Sequence, residues 1–232
     1  TENECTESGW PDWCIADAGN GVRAAGGNVT GNDPLDTSIA VGPSFVTAWM
    51  DHLAAQFGTA GNGGIRWYAL DNEPALWNST HRDVHPEPLT FDELWTRTRE
   101  TAAAIKAKDP AAVVFGPVSW GWCEYFYSAA DDCSPNGTDF IAHGSVPLTQ
   151  WCLRQVRQYE EQHGVRLVDV LDVHYYPQAN GVALSNDESA ATSALRLRSL
   201  RSLWDPTYVD ESWIGTAVRL IPRMKEWIAA EL

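Results

Sequence analysis

Ile65-Arg66-Trp67-Tyr68-Ala69-Leu70-Asp71-Asn72-Glu73-Pro74-Ala75-Leu76-Trp77 is the stretch on which the reading of this chain turns. Branched and aromatic residues behind Gly63-Gly64 predict a short buried strand over residues 65–71. The strand runs out in Asp71-Asn72-Glu73-Pro74, where Pro74 has no N–H for a ladder and disfavours a helical Glu73, so an extended Glu73 is expected. A carboxyl group at the end of an apolar strand is poorly solvated. That raises its pKa and lets it donate a proton near neutral pH. The plainer alternative is an exposed turn glutamate, and the rest of the chain has to decide between them.

Outward from this strand the chain alternates. Upstream, Ser44 is a candidate cap for a helix carrying Phe45, Val46, Trp49, Met50, Leu53 and Phe57 at amphipathic spacing, with Gly58 at its end. Downstream, Thr90-Phe91-Asp92-Glu93 has the form of a capping box and predicts a helix to about Lys108, stopped by Asp109-Pro110. Residues 112–116 read as a second strand and 149–163 as a helix ended by Gly164. Residues 165–176 read as a third strand closed by Pro177, and 213–232 as a last helical pattern interrupted at Pro222. Residues 1–43 are rich in Gly, Asn, Asp and Thr and lack periodicity, so they read as a loop-rich segment. One domain over residues 1–232 is expected, with a helix and three β/α units in 44–232.

Such alternation is the pattern of parallel α/β structure. Helix-to-strand links are short, whereas strand-to-helix links run to about 16, 31 and 36 residues, far above the usual few. In a (β/α)8 TIM-type barrel the long links lie over the carboxyl ends of the strands, where active sites are built. Glu73 and His174 stand at such ends, and the long links hold Trp77, Trp120, Trp122, Tyr175, Tyr176 and Trp204. An open doubly wound sheet fits the alternation too, but no Gly-rich phosphate loop follows any strand.

The formal net charge of −15 repels phosphate backbones and anionic membranes, and suits a neutral or cationic substrate. No apolar run reaches membrane-spanning length and no signal peptide is visible. A chain opening on Thr1 is expected to be mature, excised or truncated. Of the five cysteines, Cys5 and Cys14, and Cys123 and Cys133, lie close in loop-like surroundings. Two local disulfides and a secreted, extracellular setting follow. Cys152, in a helical pattern, is expected to be a buried free thiol.

In this frame Glu73 is the candidate general acid, and Asn72 beside it can bond a sugar hydroxyl or stabilise the turn. His174, Tyr175 and Tyr176 can orient a carboxylate, bind hydroxyls, or simply pack. Trp77, Trp120, Trp122 and Trp204 can stack on the CH face of a sugar ring or pin their loops. Asp169 and Asp172 read as hydrogen-bonded rather than catalytic. Asp131, Asp132 and Asp139 offer oxygen ligands for a structural calcium, without EF-hand spacing. His81 and His85 lack a third metal ligand at a recognisable spacing, and no Gly-x-Ser-x-Gly elbow supports serine catalysis. No cofactor is required.

Leu70-Asp-Asn-Glu-Pro-Ala-Leu-Trp77, His81-Arg-Asp-Val-His-Pro86, Val114-Phe-Gly-Pro117, Val168-Asp-Val-Leu-Asp-Val-His-Tyr-Tyr-Pro177, Leu203-Trp-Asp-Pro-Thr-Tyr-Val209 and Ser212-Trp-Ile-Gly215 together resemble glycoside hydrolase family 44. The resemblance implies a (β/α)8 barrel, here incomplete and similar to units four to six. It implies retaining hydrolysis of internal bonds in β-1,4-glucan, whether cellulose-type chains or xyloglucan, with Glu73 as acid/base. It also implies a nucleophilic glutamate after strand seven, beyond residue 232. Rival readings are a xyloglucan-specific or other retaining glycosidase and a non-catalytic carbohydrate-binding protein, which would need the tryptophan loops but no proton donor.

Non-reducing peptide mapping should recover Cys5 linked to Cys14 and Cys123 linked to Cys133, with Cys152 free; a bond between the pairs contradicts the local-loop argument. Retaining chemistry needs two carboxyl groups about 5–5.5 Å apart, and only Glu73 has the right setting at a strand end. The 232-residue chain is therefore expected to release no reducing ends from xyloglucan or carboxymethyl cellulose at an enzyme-like rate. Turnover that vanishes in Glu73→Gln would reveal a nucleophile within it.

Overall fold

A computed structural model describes residues 26–232 apart from Val29, Asn32, Thr37 and Leu184. The expected Cys5–Cys14 bridge lies outside the described residues. Three strands, β1 (Trp67–Ala69), β2 (Val113–Ser119) and β3 (Val170–Val173), form a parallel sheet in the order β1-β2-β3. Helices α1 (Pro43–Phe57), α2 (Trp77–Thr80), α3 (Phe91–Lys108), α4 (Trp122–Phe126), α5 (Thr138–Ala142), α6 (Leu148–His163), α7 (Ala190–Ser199) and α8 (Leu220–Glu231) surround it. The protein is thus α/β, with strands and helices alternating as expected. No helix among the described residues is long and apolar enough to cross a membrane.

Local chemistry marks the start of α3 and the end of α6. Thr90 Oγ1 accepts the Glu93 N–H at 3.2 Å, capping α3. Glu93 itself does not complete the box; its carboxylate pairs with Arg97 and His85 instead. Gly164 closes α6 in the left-handed region (φ 69°), a conformation open to a residue without Cβ. Several expectations need correction. Ser44 does not cap α1, which starts at Pro43 after Gly42 with no side-chain bond at the cap. Strand β2 runs on through Pro117 to Ser119 rather than ending at 116, and β3 is confined to Val170–Val173 rather than 165–176. Residues 190–199, read as loop, form α7, capped by the Ser189 hydroxyl on the Thr192 N–H. The last helix starts at Leu220 rather than at 213, and Pro222 sits in its first turn, where no intrahelical N–H is required.

Strand β2 is the centre of the sheet, and residues 116–119 are all buried. It pairs Val113, Val114 and Phe115 with β1 and Phe115, Gly116 and Pro117 with β3. At Gly116 a Cβ would stand 2.9 Å from Leu70 Cδ1, so the strands pack closely because the residue is glycine. One core cluster joins Met50, Tyr68, Ala102, Ile105, Val114 and Leu167, binding α1 and α3 to the sheet. A second joins Leu89, Phe91, Leu94, Leu148 and Cys152, and a third Tyr125, Val218, Leu220 and Met224. Cys152 is a buried free thiol, and burial pushes its pKa up.

Asp169 is hydrogen-bonded, as read from the sequence. Its Oδ2 accepts the Val114 N–H at 2.7 Å and Lys106 Nζ at 2.5 Å, while Lys106 also donates to the Ala112 carbonyl. Lys106 is only 10% exposed, so the carboxylate compensates a nearly buried charge. Asp169→Ala should therefore destabilise by about 1–3 kcal/mol in urea melts. Asp169→Asn, which keeps an acceptor for Val114, should cost less, and equal losses would show that the charge on the carboxylate, not its bond from Val114, carries the whole effect.

Candidate active site

The carboxyl ends of the three strands meet at two adjacent carbonyls of β2. Val118 C=O accepts the Glu73 N–H at 3.0 Å, and Ser119 C=O accepts the His174 N–H at 2.7 Å. These bonds bring two residues 101 positions apart side by side: Glu73 Oε1 and His174 Nδ1 are 2.7 Å apart. Both side chains are partly exposed, 17% and 28%. The proton between them serves either state. Nδ1–H donates to the ionised carboxylate, or the carboxylic O–H donates to Nδ1.

Glu73 is not extended, contrary to expectation. It adopts φ 54°, ψ 58°, the left-handed region, and its carbonyl accepts the Leu76 N–H of the 3-10 turn Pro74–Leu76. Pro74 excludes the right-handed helix, and the bond to Val118 then selects a conformation that the local sequence disfavours. Val118 is itself left-handed (φ 62°), an outlier for a β-branched residue. Two strained residues facing each other through one hydrogen bond are the kind of backbone that surrounding structure must over-determine.

The surrounding structure is α4, directly after the β2 end. Glu124 is 1% exposed, and its Oε2 accepts the Trp120 N–H at 2.6 Å. The Ala75 backbone N–H, one turn after Glu73, also interacts with this carboxyl. Burial raises its pKa to about 8, opposed by the two backbone amides and reinforced by the neighbouring Glu73 charge. The next residue, Tyr125, is fully buried and its hydroxyl donates to the His174 carbonyl. The residue before, Cys123, is bridged to Cys133 as expected from the sequence. The raised carboxylic acid at this site is Glu124, not the strand-end residue for which the sequence suggested it, and Glu124 was passed over because it lies in a long loop. Its signal was local: a glutamate in the first turn of a helix, able to reach back to amides preceding that helix.

The other candidates divide. Asn72 is exposed beside Glu73. Two grooves flank the turn: Trp77 lines one with Leu70, Asp71 and Arg97, and Trp120 lines the other with Asn78 and Glu124. Trp77 also packs edge-on against His85 under the Arg97 guanidinium. Trp122 packs against Phe126 and Tyr125 with Arg223 over its ring, inside the third core cluster. Tyr175 joins that cluster and donates its hydroxyl to Asp210 at 3.0 Å. Tyr176 and Trp204 are about half exposed. Asp131 is buried and accepts the backbone N–H groups of Ser128, Asp139 and Phe140, while Asp139 accepts the Phe91 N–H and the Ser128 hydroxyl. These oxygens serve as caps. Among the described residues no group of three or more His, Cys, Asp or Glu side chains is arranged to hold a metal ion.

The raised acid makes stability pH-dependent. Folded Glu124 keeps its proton to about pH 8, whereas the unfolded side chain releases it near 4.5. Its contribution is complete below the lower value and is lost as pH rises through the upper one. Glu231, held low by its hydrogen bonds from Arg154, acts in the opposite sense and below this window. Melting temperature should therefore fall from about pH 5 to 8, at a cost of up to ~1.4 kcal/mol per pH unit. Glu124→Gln should flatten that slope, and a slope unchanged by the substitution would place the titration elsewhere.

Comparison with known proteins places this geometry in a family. The sequence pattern of glycoside hydrolase family 44 matches residues 2–179. Endoglucanase A of Paenibacillus lautus is 36% identical over 203 residues, covering 84% of this chain and 28% of that protein. The crystal structure of CelM2, described as a bifunctional glucanase-xylanase from a metagenome library, superimposes with a TM-score of 0.88 at 46% identity. It covers 95% of this chain and 43% of that one. A Paenibacillus polymyxa xyloglucanase of family 44 gives a TM-score of 0.70 at 36% identity over 80% of this chain and 38% of its own. The chain thus spans less than half the length of each of these relatives, and it belongs to glycoside hydrolase family 44.

Proposed function

We propose that this chain carries the acid/base half of a retaining, endo-acting β-1,4-glucanase site, within a (β/α)8 barrel of which β1 to β3 correspond to units four to six. The observation that carries the reading is the 2.7 Å contact between Glu73 and His174 at neighbouring strand ends. A general acid must hold a proton, aim it outward and survive its loss. The histidine bonds either protonation state, and the carboxyl stays partly exposed at the strand end.

In the first step Glu73 protonates the leaving glycosidic oxygen while a nucleophilic carboxylate attacks the anomeric carbon. In the second, ionised Glu73 takes a proton from the water that releases the glycosyl group. His174 Nδ1–H then steadies the carboxylate between the steps. The nucleophile is not Glu124: an attacking carboxylate must be ionised and accessible, and Glu124 is buried and neutral to about pH 8. The reading assigns it to a glutamate on a later strand of the barrel. Apolar residues exposed on α1 and β1, Phe45, Trp49, Phe57 and Trp67, suit a sheet that continues in the full barrel.

The substrate is a neutral β-glucan, cellulose-type or xyloglucan, in keeping with the −15 charge and with relatives described as endoglucanase and xyloglucanase. Of the candidate aromatics, Trp77, Trp120, Tyr176 and Trp204 remain for sugar faces. The reaction needs no cofactor, and the Cys123–Cys133 disulfide suits a secreted protein.

Glu73→Gln in the full-length enzyme should retain glucan binding while turnover falls about 10²–10⁴-fold. An aryl glucoside with a good leaving group should lose much less in the bond-cleaving step, because it needs little protonation. Near-native turnover of polysaccharide would remove Glu73 from the role.

A further inference from the structure

The Glu73–His174 pair is held from behind by one short helix. Three consecutive residues at the start of α4 each make a different kind of tie. Cys123 is bonded to Cys133, fastening the helix to the loop beyond it. The Glu124 carboxyl gathers the Trp120 amide at the end of β2 and interacts with the Ala75 amide of the turn that Glu73 opens. The buried Tyr125 hydroxyl donates to the carbonyl of His174 itself. One side of the pair is therefore reached through Glu124 and the other through Tyr125, from adjacent positions on the same element.

We propose that Glu124 and Tyr125 are positioning residues for the acid/base, setting the separation and aim of Glu73 and His174 without touching substrate. Both are buried, so neither can meet a sugar. Tyr125 bonds the His174 carbonyl, and Glu124 bonds the amide of Trp120, next to the Ser119 carbonyl that accepts the His174 N–H, so both act on where the side chains of the pair start rather than on the side chains. Left-handed Glu73 and Val118 have no local reason to hold their conformation. Without the clamp the turn at Ala75 is free to relax and the acid to swing away from the histidine. The proposal rests on the assignment of Glu73 as acid/base.

The test uses the full-length enzyme and four variants, Tyr125→Phe, Glu124→Ala, Glu124→Gln and Glu73→Gln, each checked for cooperative melting. A merely structural defect lowers turnover alike for all substrates, whereas a displaced acid matters most where the leaving group needs protonation. Tyr125→Phe and Glu124→Ala should lower kcat on polysaccharide by about 10-fold to 100-fold with KM little changed. They should lose far less on an aryl glucoside with a good leaving group, and should move the limb of the pH–rate profile that Glu73→Gln abolishes. Glu124→Gln, which keeps an oxygen to accept the Trp120 N–H, should recover most of what Glu124→Ala loses. Tyr125→Phe removes one oxygen and no volume, so it decides the question if Glu124→Ala fails to fold. Equal losses on both substrates, or an unmoved pH profile, would overturn the proposal while Glu73→Gln keeps its leaving-group signature. If Glu73→Gln lacks that signature, the acid/base assignment itself falls.

Discussion

Two peptide carbonyls, those of Val118 and Ser119, carry the arrangement on which the rest of the site depends. Each accepts an amide from a different neighbouring strand end, Glu73 on one side and His174 on the other. A parallel sheet makes this possible because all strand ends point the same way, so residues distant in sequence arrive at one edge together. The register of β1 and β3 on β2 therefore fixes which side chains face each other. A shift by one residue would turn Glu73 or His174 to the opposite side.

The two bonds have a conformational cost. Glu73 and Val118 both lie in the left-handed region, at about 1–3 kcal/mol each for residues with a Cβ. The strain is tolerable because β2 is buried along its carboxyl-terminal half and tied on both flanks. Close approach at Gly116, the Lys106–Asp169 pair behind the sheet and the tyrosine and glutamate of α4 at its end leave the strand little room to relax. Burying a neutral acid at Glu124 is consistent with this. A charge there would need better compensation than two amides, while a protonated carboxyl can remain in the apolar interior.

Much of this was legible in the chain. Strand ends punctuated by Asn-Glu-Pro and His-Tyr-Tyr-Pro marked Glu73 and His174, because proline has no N–H for a ladder, although Pro117 within β2 shows that a strand can run through one at an irregularity. Short links before strands and long links after them indicated the face on which these residues would gather. The local disulfide at Cys123 and Cys133 was readable from spacing, and Asp169, which stands partly exposed just before β3, was read as hydrogen-bonded. Helix α7 was not recognised, since a run of Ala, Thr, Ser and Arg has weak periodicity and its boundary rests on a single serine cap.

What the sequence by itself determined is the order of strands and helices, the residues at their carboxyl ends and the chemistry available there, since hydrophobic periodicity, proline and capping residues act over a few positions. Only the tertiary structure decided which aromatic side chains remain open and which are spent on packing. Trp122 and Tyr175 face the core formed with Val218 and Leu220, contacts made across as many as a hundred residues that no local pattern encodes. The same holds for Glu73, turned left-handed by a carbonyl from the neighbouring strand, and for Glu124, whose acidity is raised by burial among groups distant in the chain. Conformation and pKa at these positions are properties of the assembled surroundings, and the surroundings exist only once the strands have met.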